Sequence, residues 1–214
     1  VTLTQTGGGP ALTIAPDGTV TIAPGTPAGP LSGGYQICQV AQPTICDSVT
    51  ITVTVAAGTL IAVDDTLGPV NGGTGGAAAG NILDNDTLNG APVTAPQVTV
   101  TPHDVAPITI GTNGTVSVAA GTAAGTYTAT YDLCEVINPG NCDTATVTVA
   151  VSTLDAVDDT LGPVNGGIGG SAGNVLTNDR LDGAPFATTA VTLTPSNTPE
   201  LTIGADGTVT VTAG

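Results

Sequence analysis

Across Leu12-Thr-Ile14-Ala-Pro16-Asp17-Gly18-Thr-Val20-Thr-Ile22, apolar and hydroxyl side chains alternate on either side of a Pro-Asp-Gly corner. Period-two alternation predicts half-buried strands, and a glycine turn between two such runs predicts a hairpin. The faces decide the loop length. A two-residue turn would set Ile14 against Thr21 and mix core with solvent, whereas a three-residue loop sets Ile14 against Val20 and Leu12 against Ile22. That is the register of a type I turn closed by a left-handed glycine. The pattern recurs twice, predicting Ile110 opposite Val116 across Thr112-Asn-Gly114 and Ile203 opposite Val209 across Ala205-Asp-Gly207.

These hairpins sit inside a longer repeat. The string Ala-Val-Asp-Asp-Thr-Leu-Gly-Pro-Val-Asn-Gly-Gly begins at Ala62 and again at Ala156, a period of 94 residues that suits one sandwich domain. Each copy is followed by a second marker, Asn81-Ile-Leu-Asp-Asn-Asp86 and Asn174-Val-Leu-Thr-Asn-Asp179, while the hairpin block occurs three times, from Val1, Val98 and Val191. Residues 62–155 therefore read as one whole unit, 1–61 as the C-terminal part of a unit before it, and 156–214 as the N-terminal part of a third. Residues 62–155 hold about seven short strand-like runs and no amphipathic helical stretch. The expected fold class is all-β, tandem immunoglobulin-like antiparallel β-sandwiches, without the Trp of antibody cores because the chain has none. The chain is expected to come from a longer precursor. Its ragged ends fit either a piece of a long polymer or a terminal segment, 191–214, that completes a sandwich in a neighbouring molecule by donated strands.

Cys38 and Cys46 enclose seven residues, as do Cys134 and Cys142 at the equivalent place one repeat later. The alternation puts Tyr127, Tyr131 and Leu133 on the apolar face with Val147, Val149 and Val151, so Cys134 and Cys142 share the outer face with the threonines. Two disulfides, Cys38 with Cys46 and Cys134 with Cys142, are expected, each clasping one hairpin in an oxidising, extracytoplasmic setting. Redox chemistry prefers Cys-x-x-Cys, and zinc prefers paired short spacings with His partners that the single His103 cannot supply.

Charge narrows the partners. With 17 acidic residues against one basic residue, Arg180, the formal charge is -16, which excludes nucleic acid and anionic membranes as electrostatic partners. No apolar run is long enough to insert in a membrane. Hydrophobic residues at 40% and a mean hydropathy of +0.34 argue against disorder. A catalytic constellation is not expected: there is no Lys, one His and one Arg, and the few aromatics give no platform for a sugar.

Cations are the natural counterpart of the acids. Asp64, Asp65, Asp84, Asn85 and Asp86 recur in the next repeat as Asp158, Asp159, Asn178 and Asp179, with Asp155 just before. Calcium takes six to eight oxygens of these types, and an ion at a repeat junction would relieve the repulsion and stiffen it. Adjacent aspartates on an extended chain point to opposite sides, so one of each pair would face a given site. The other reading is that these residues cap turns.

On Ala-Val-Asp-Asp-Thr at the repeat start and Leu-x-Asn-Asp with its following Gly, the whole chain resembles the bacterial immunoglobulin-like and cadherin-like tandem repeats of large surface adhesins and fibrillar proteins. The resemblance implies calcium at Asp64, Asp65 and Asp86, and at Asp158, Asp159 and Asp179. Some surface fibres crosslink Lys to Asn, which a chain without Lys does not do. The leading expectation is a stiff, self-associating extracellular filament or stalk in adhesion, biofilm matrix or a sheath. The rival is a recognition module that binds a glycan or host protein through its loops.

Overall fold

The computed structural model describes residues 1–103 and 105–214. The alternating Thr/Val runs form strands throughout, and the helical content described is two single 3-10 turns, Ala95–Gln97 and Thr188–Ala190. The first unit holds β1 (Thr2–Gly7), β2 (Leu12–Ile14), β3 (Val20–Ile22), β4 (Gly29–Cys38) and β5 (Cys46–Val55). The middle unit holds β6 (Leu60–Ile61), β7 (Asp65–Asn71), β8 (Gly76–Asn81), β9 (Thr87–Leu88), β10 (Ala91–Pro92), β11 (Val98–His103), β12 (Ile108–Ile110), β13 (Thr115–Val118), β14 (Gly125–Glu135) and β15 (Asn138–Ser152). The third has β16 (Leu154–Asp155), β17 (Gly170–Asn174), β18 (Arg180–Leu181), β19 (Leu201–Ile203) and β20 (Thr208–Val211).

The middle unit is a seven-stranded immunoglobulin-like sandwich. One sheet runs β11-β14-β15-β7 and the other β12-β13-β8. All neighbours are antiparallel except β15 and β7, which pair in parallel from Val147 with Asp65 to Ser152 with Asn71. The inner faces meet in one core that includes Ile82, Val116, Tyr131, Leu133, Val147 and Val149. Burial of apolar side chains between facing sheets is the main force that holds such a fold. The three small strands β6, β9 and β10 form a separate strip at one end. Leu60 of β6 belongs to the same core, so the packed unit takes in two residues ahead of Ala62, and Asp155, on β16, pairs into the third unit.

Each hairpin takes the register that its faces demand. Ile14 pairs with Val20, Ile110 with Val116 and Ile203 with Val209. The turn glycines Gly18, Gly114 and Gly207 have φ of 87°, 84° and 83°, a region that a side chain would strain. Tyr131, Leu133, Val147, Val149 and Val151 are buried. Cys134 stands directly opposite Cys142 and Cys38 opposite Cys46. Both pairs are disulfide-bonded, each across a separation of 8 residues.

The end units are open half-sandwiches. The first has the sheet β1-β4-β5 and the lone hairpin β2-β3. The third has β17-β20-β19, while 159–165, the counterpart of β7, runs without a ladder partner.

Candidate functional site

The acid-rich residues of the middle unit gather where the repeat start passes the turn at 81–86. Asp65 opens β7 and is buried. Tyr131, on the core face of β14, donates its hydroxyl hydrogen bond to Asp65 Oδ2 at 3.0 Å and approaches the Ile82 carbonyl at 3.3 Å. Asp86 is 1% exposed; its Oδ1 accepts the Val63 amide at 2.8 Å, and its Oδ2 is buried without a hydrogen-bond partner. Asp64 points the other way, as pleating requires, and accepts the Thr146 amide of β15 at 2.8 Å. Asn85 donates to the carbonyls of Asp64 at 3.1 Å and Val63 at 3.3 Å, and Asp84 accepts the Asn81 amide at 3.2 Å.

Removing carboxylates from water disfavours their charge. Burial pushes Asp65 up from 3.8 to about 6, against the lowering effect of the Tyr131 hydrogen bond, with Asp86, Asp64 and Asp84 adding repulsion. Burial also raises Asp86, the Val63 amide working in the other direction. Burial first, then the Asp65 and Asp86 charges, raise the Tyr131 phenol. The centre of the site is thus two buried acids and one buried phenol.

The third unit repeats the clasp. Asp179 accepts the Val157 amide at 2.8 Å and Asn178 donates to the Asp158 carbonyl at 3.1 Å, as Asp86 and Asn85 do one period earlier. Asn178 Oδ1 is buried without a partner. Asp158 and Asp159 are exposed, and Asp155 stands across from Arg180 on β18. The ten residues singled out by sequence therefore fall into two groups by repeat, and most are engaged by backbone amides or carbonyls. Among the described residues, no three His, Cys, Asp or Glu side chains are gathered in a form that holds a metal. What the middle turn offers a cation is the unpartnered Asp86 Oδ2 beside Asp65, a partial set of the six to eight oxygens that calcium takes.

A second polar cluster went unnoticed in the sequence. The tip of the Cys134–Cys142 hairpin carries the buried Glu135, whose Oε2 accepts from Asn138 at 2.8 Å and Asn141 at 2.9 Å. Asn141 also donates to the Gly58 carbonyl at 2.9 Å, in the segment that joins the first and middle units. Burial opposes the Glu135 charge, but the hydrogen bonds from Asn138, Asn141 and the Gly58 backbone outweigh it and hold the carboxyl below its ordinary value. The signal available was Asn-Pro-Gly-Asn beside the cysteine, a turn sequence with two amides to spare.

No protein-family model matches the chain, and no curated protein matches it. Solved structures similar to it include a protocadherin GammaB4 extracellular domain at TM-score 0.33 and 13% identity, covering 99% of this chain and 39% of that one. Mouse cadherin-23 EC22-24 gives TM-score 0.33 and 14% identity over 98% of this chain and 74% of that one. An endo-fucoidan hydrolase of glycoside hydrolase family 107 gives 0.30 and 17%, over 71% and 23%. The chain thus spans about two fifths of the protocadherin. At TM-scores of this size the immunoglobulin-like assignment rests on the strand order and core of the middle unit. No helix among the described residues is long and apolar enough to cross a membrane.

Proposed function

We propose that the chain is a non-catalytic structural segment of an extracellular filament or fibrillar adhesin, serving adhesion, a biofilm matrix or a sheath. The observation that carries this reading is the recurrence of one polar clasp at each repeat start, Asp86 on Val63 and Asp179 on Val157. A chain that enters successive sandwiches by the same anchor repeats the same local geometry, which is how tandem units make length without one large core. The two disulfides support an oxidising, extracellular setting. Electron microscopy of negatively stained native material is the test. Regular fibres with a spacing near one or two repeats are expected, and isolated globular particles would overturn the reading.

Calcium is the ligand proposed for the Asp65–Asp86 turn, on the strength of the buried, unpartnered Asp86 Oδ2. Calorimetric titration of calcium is expected to show binding, with a chelator lowering the melting temperature. No heat and an unchanged melt would remove calcium and leave the filament reading standing.

A further inference from the structure

The three hairpin corners read Asp17-Gly-Thr19, Asn113-Gly-Thr115 and Asp206-Gly-Thr208. In each, Oδ1 of the first residue accepts the amide of the Thr, at 2.9, 3.2 and 3.0 Å. The corner therefore needs one side-chain oxygen, which Asp supplies as well as Asn does. What Asn113 adds is an amide nitrogen that has no part in holding the fold. Asn113 is exposed, and its Nδ2 makes no hydrogen bond among the described residues.

The Thr that closes the corner stands within reach of that nitrogen. In the third unit the Thr208 hydroxyl donates to Asp206 Oδ2 at 2.9 Å, and Oδ2 is the atom whose place Nδ2 takes in Asn113. The Thr115 hydroxyl has no other partner among the described residues, so it is free to accept from Nδ2 and orient it. Asn-x-Thr, with x other than Pro, is the acceptor triplet for N-linked glycans.

The chain holds a second such triplet, Asn85-Asp-Thr87, and the fold treats it differently. Asn85 Nδ2 is committed to the carbonyls of Asp64 at 3.1 Å and Val63 at 3.3 Å, where it ties the repeat start to the turn. The third unit keeps that tie, Asn178 on the Asp158 carbonyl, and has Arg180 in place of Thr87. A sugar on Asn85 would take one of the two hydrogens that hold the clasp, whereas a sugar on Asn113 takes one that holds nothing.

We propose that Asn113 is an N-glycosylation site and that Asn85 is not. The co-reactant is a glycan whose first sugar is activated at C1 by a lipid-linked pyrophosphate, delivered by a transferase on the export route. The Nδ2–C1 bond forms, the C1–O bond to the pyrophosphate breaks, Nδ2 gives up one proton, and the pyrophosphate leaves on its lipid. Asn113 Oδ1 is untouched, so it still caps the Thr115 amide and the glycan projects into solvent. The proposal rests on export of the chain, one part of the filament reading.

Peptide mapping of the mature protein from its native source, by mass spectrometry, is the test. The peptide that contains Asn113 is expected to carry a glycan, with fragment ions placing the first sugar on residue 113, and Asn85 is expected to be unmodified. Expressed in the same host, Thr115→Ser is expected to keep the glycan, and Thr115→Ala and Asn113→Asp to lose it altogether. Asn113→Asp restores the corner of the other two units, so its core strands are expected to keep the amide-exchange protection of the parent, which separates loss of the site from loss of the fold. An unmodified Asn113, a glycan on Asn85, or a glycan on Asn113 that persists in Thr115→Ala would each overturn the proposal. Fibres of protein unmodified at Asn113 would sink this site and spare the filament reading; glycosylated protein that forms no fibres would do the reverse.

Discussion

Asp65 is held in a place that suits its neutral form. Its folded pKa of about 6 lies above the ordinary 3.8, so the folded state keeps the proton that the unfolded chain gives up. Its contribution to stability is therefore fully present below about pH 4 and is lost as pH rises toward and through 6. Denaturant unfolding across that window is expected to show this decline, and Asp65→Asn to flatten it. The same variant is expected to raise stability at pH 7 by about 1 to 3 kcal/mol, since each pKa unit is worth about 1.4 kcal/mol. If calcium binds at this turn as proposed, the sign is expected to reverse, because the variant then removes a carboxylate charge from the site. Tyr131→Phe leaves Asp65 Oδ2 without its donor and is expected to cost about 1 to 3 kcal/mol, measured by the same unfolding. Asp64 and Asp65 were legible as a pair facing opposite ways, because pleating alone requires it. That Tyr131 is the partner of Asp65 was not, since a contact across 66 residues is set by sheet order, which no local pattern encodes.

Among the elements, the hairpins were the most legible. Their register follows from two faces and one glycine, all within eleven residues, as Leu12 to Ile22 shows. The outward placement of Cys134 and Cys142 follows from the same alternation. Cleaving one such clasp is expected to cost about 2 to 3 kcal/mol by the loop-entropy estimate for so short a loop. The check is a Cys134→Ser, Cys142→Ser double variant, with the loss read from its denaturation midpoint. The hairpin tip was less legible, because Glu135 looks like a solvent-facing acid until Asn138 and Asn141 are seen to enclose it. Asn141→Ala is expected to loosen the Gly58 segment and speed its amide hydrogen exchange while the core strands stay protected.

At the scale of the whole molecule, the period of 94 residues is read from two copies of one string, and the strands that it spans form one closed sandwich between two smaller groups of strands. The β7–β15 pairing was not legible, for Asp65–Asn71 carries little alternation and its partner lies about 80 residues on. That pairing governs how the middle unit responds to force. Its first long strand and its last run side by side in the same direction, so a pull on the two ends of the unit slides β7 along β15. Every ladder bond between them is loaded together, whereas an antiparallel pair pulled from one end would open bond by bond. A tether made of such units yields late and abruptly, its lifetime under tension set by the unfolding rate of this one seam.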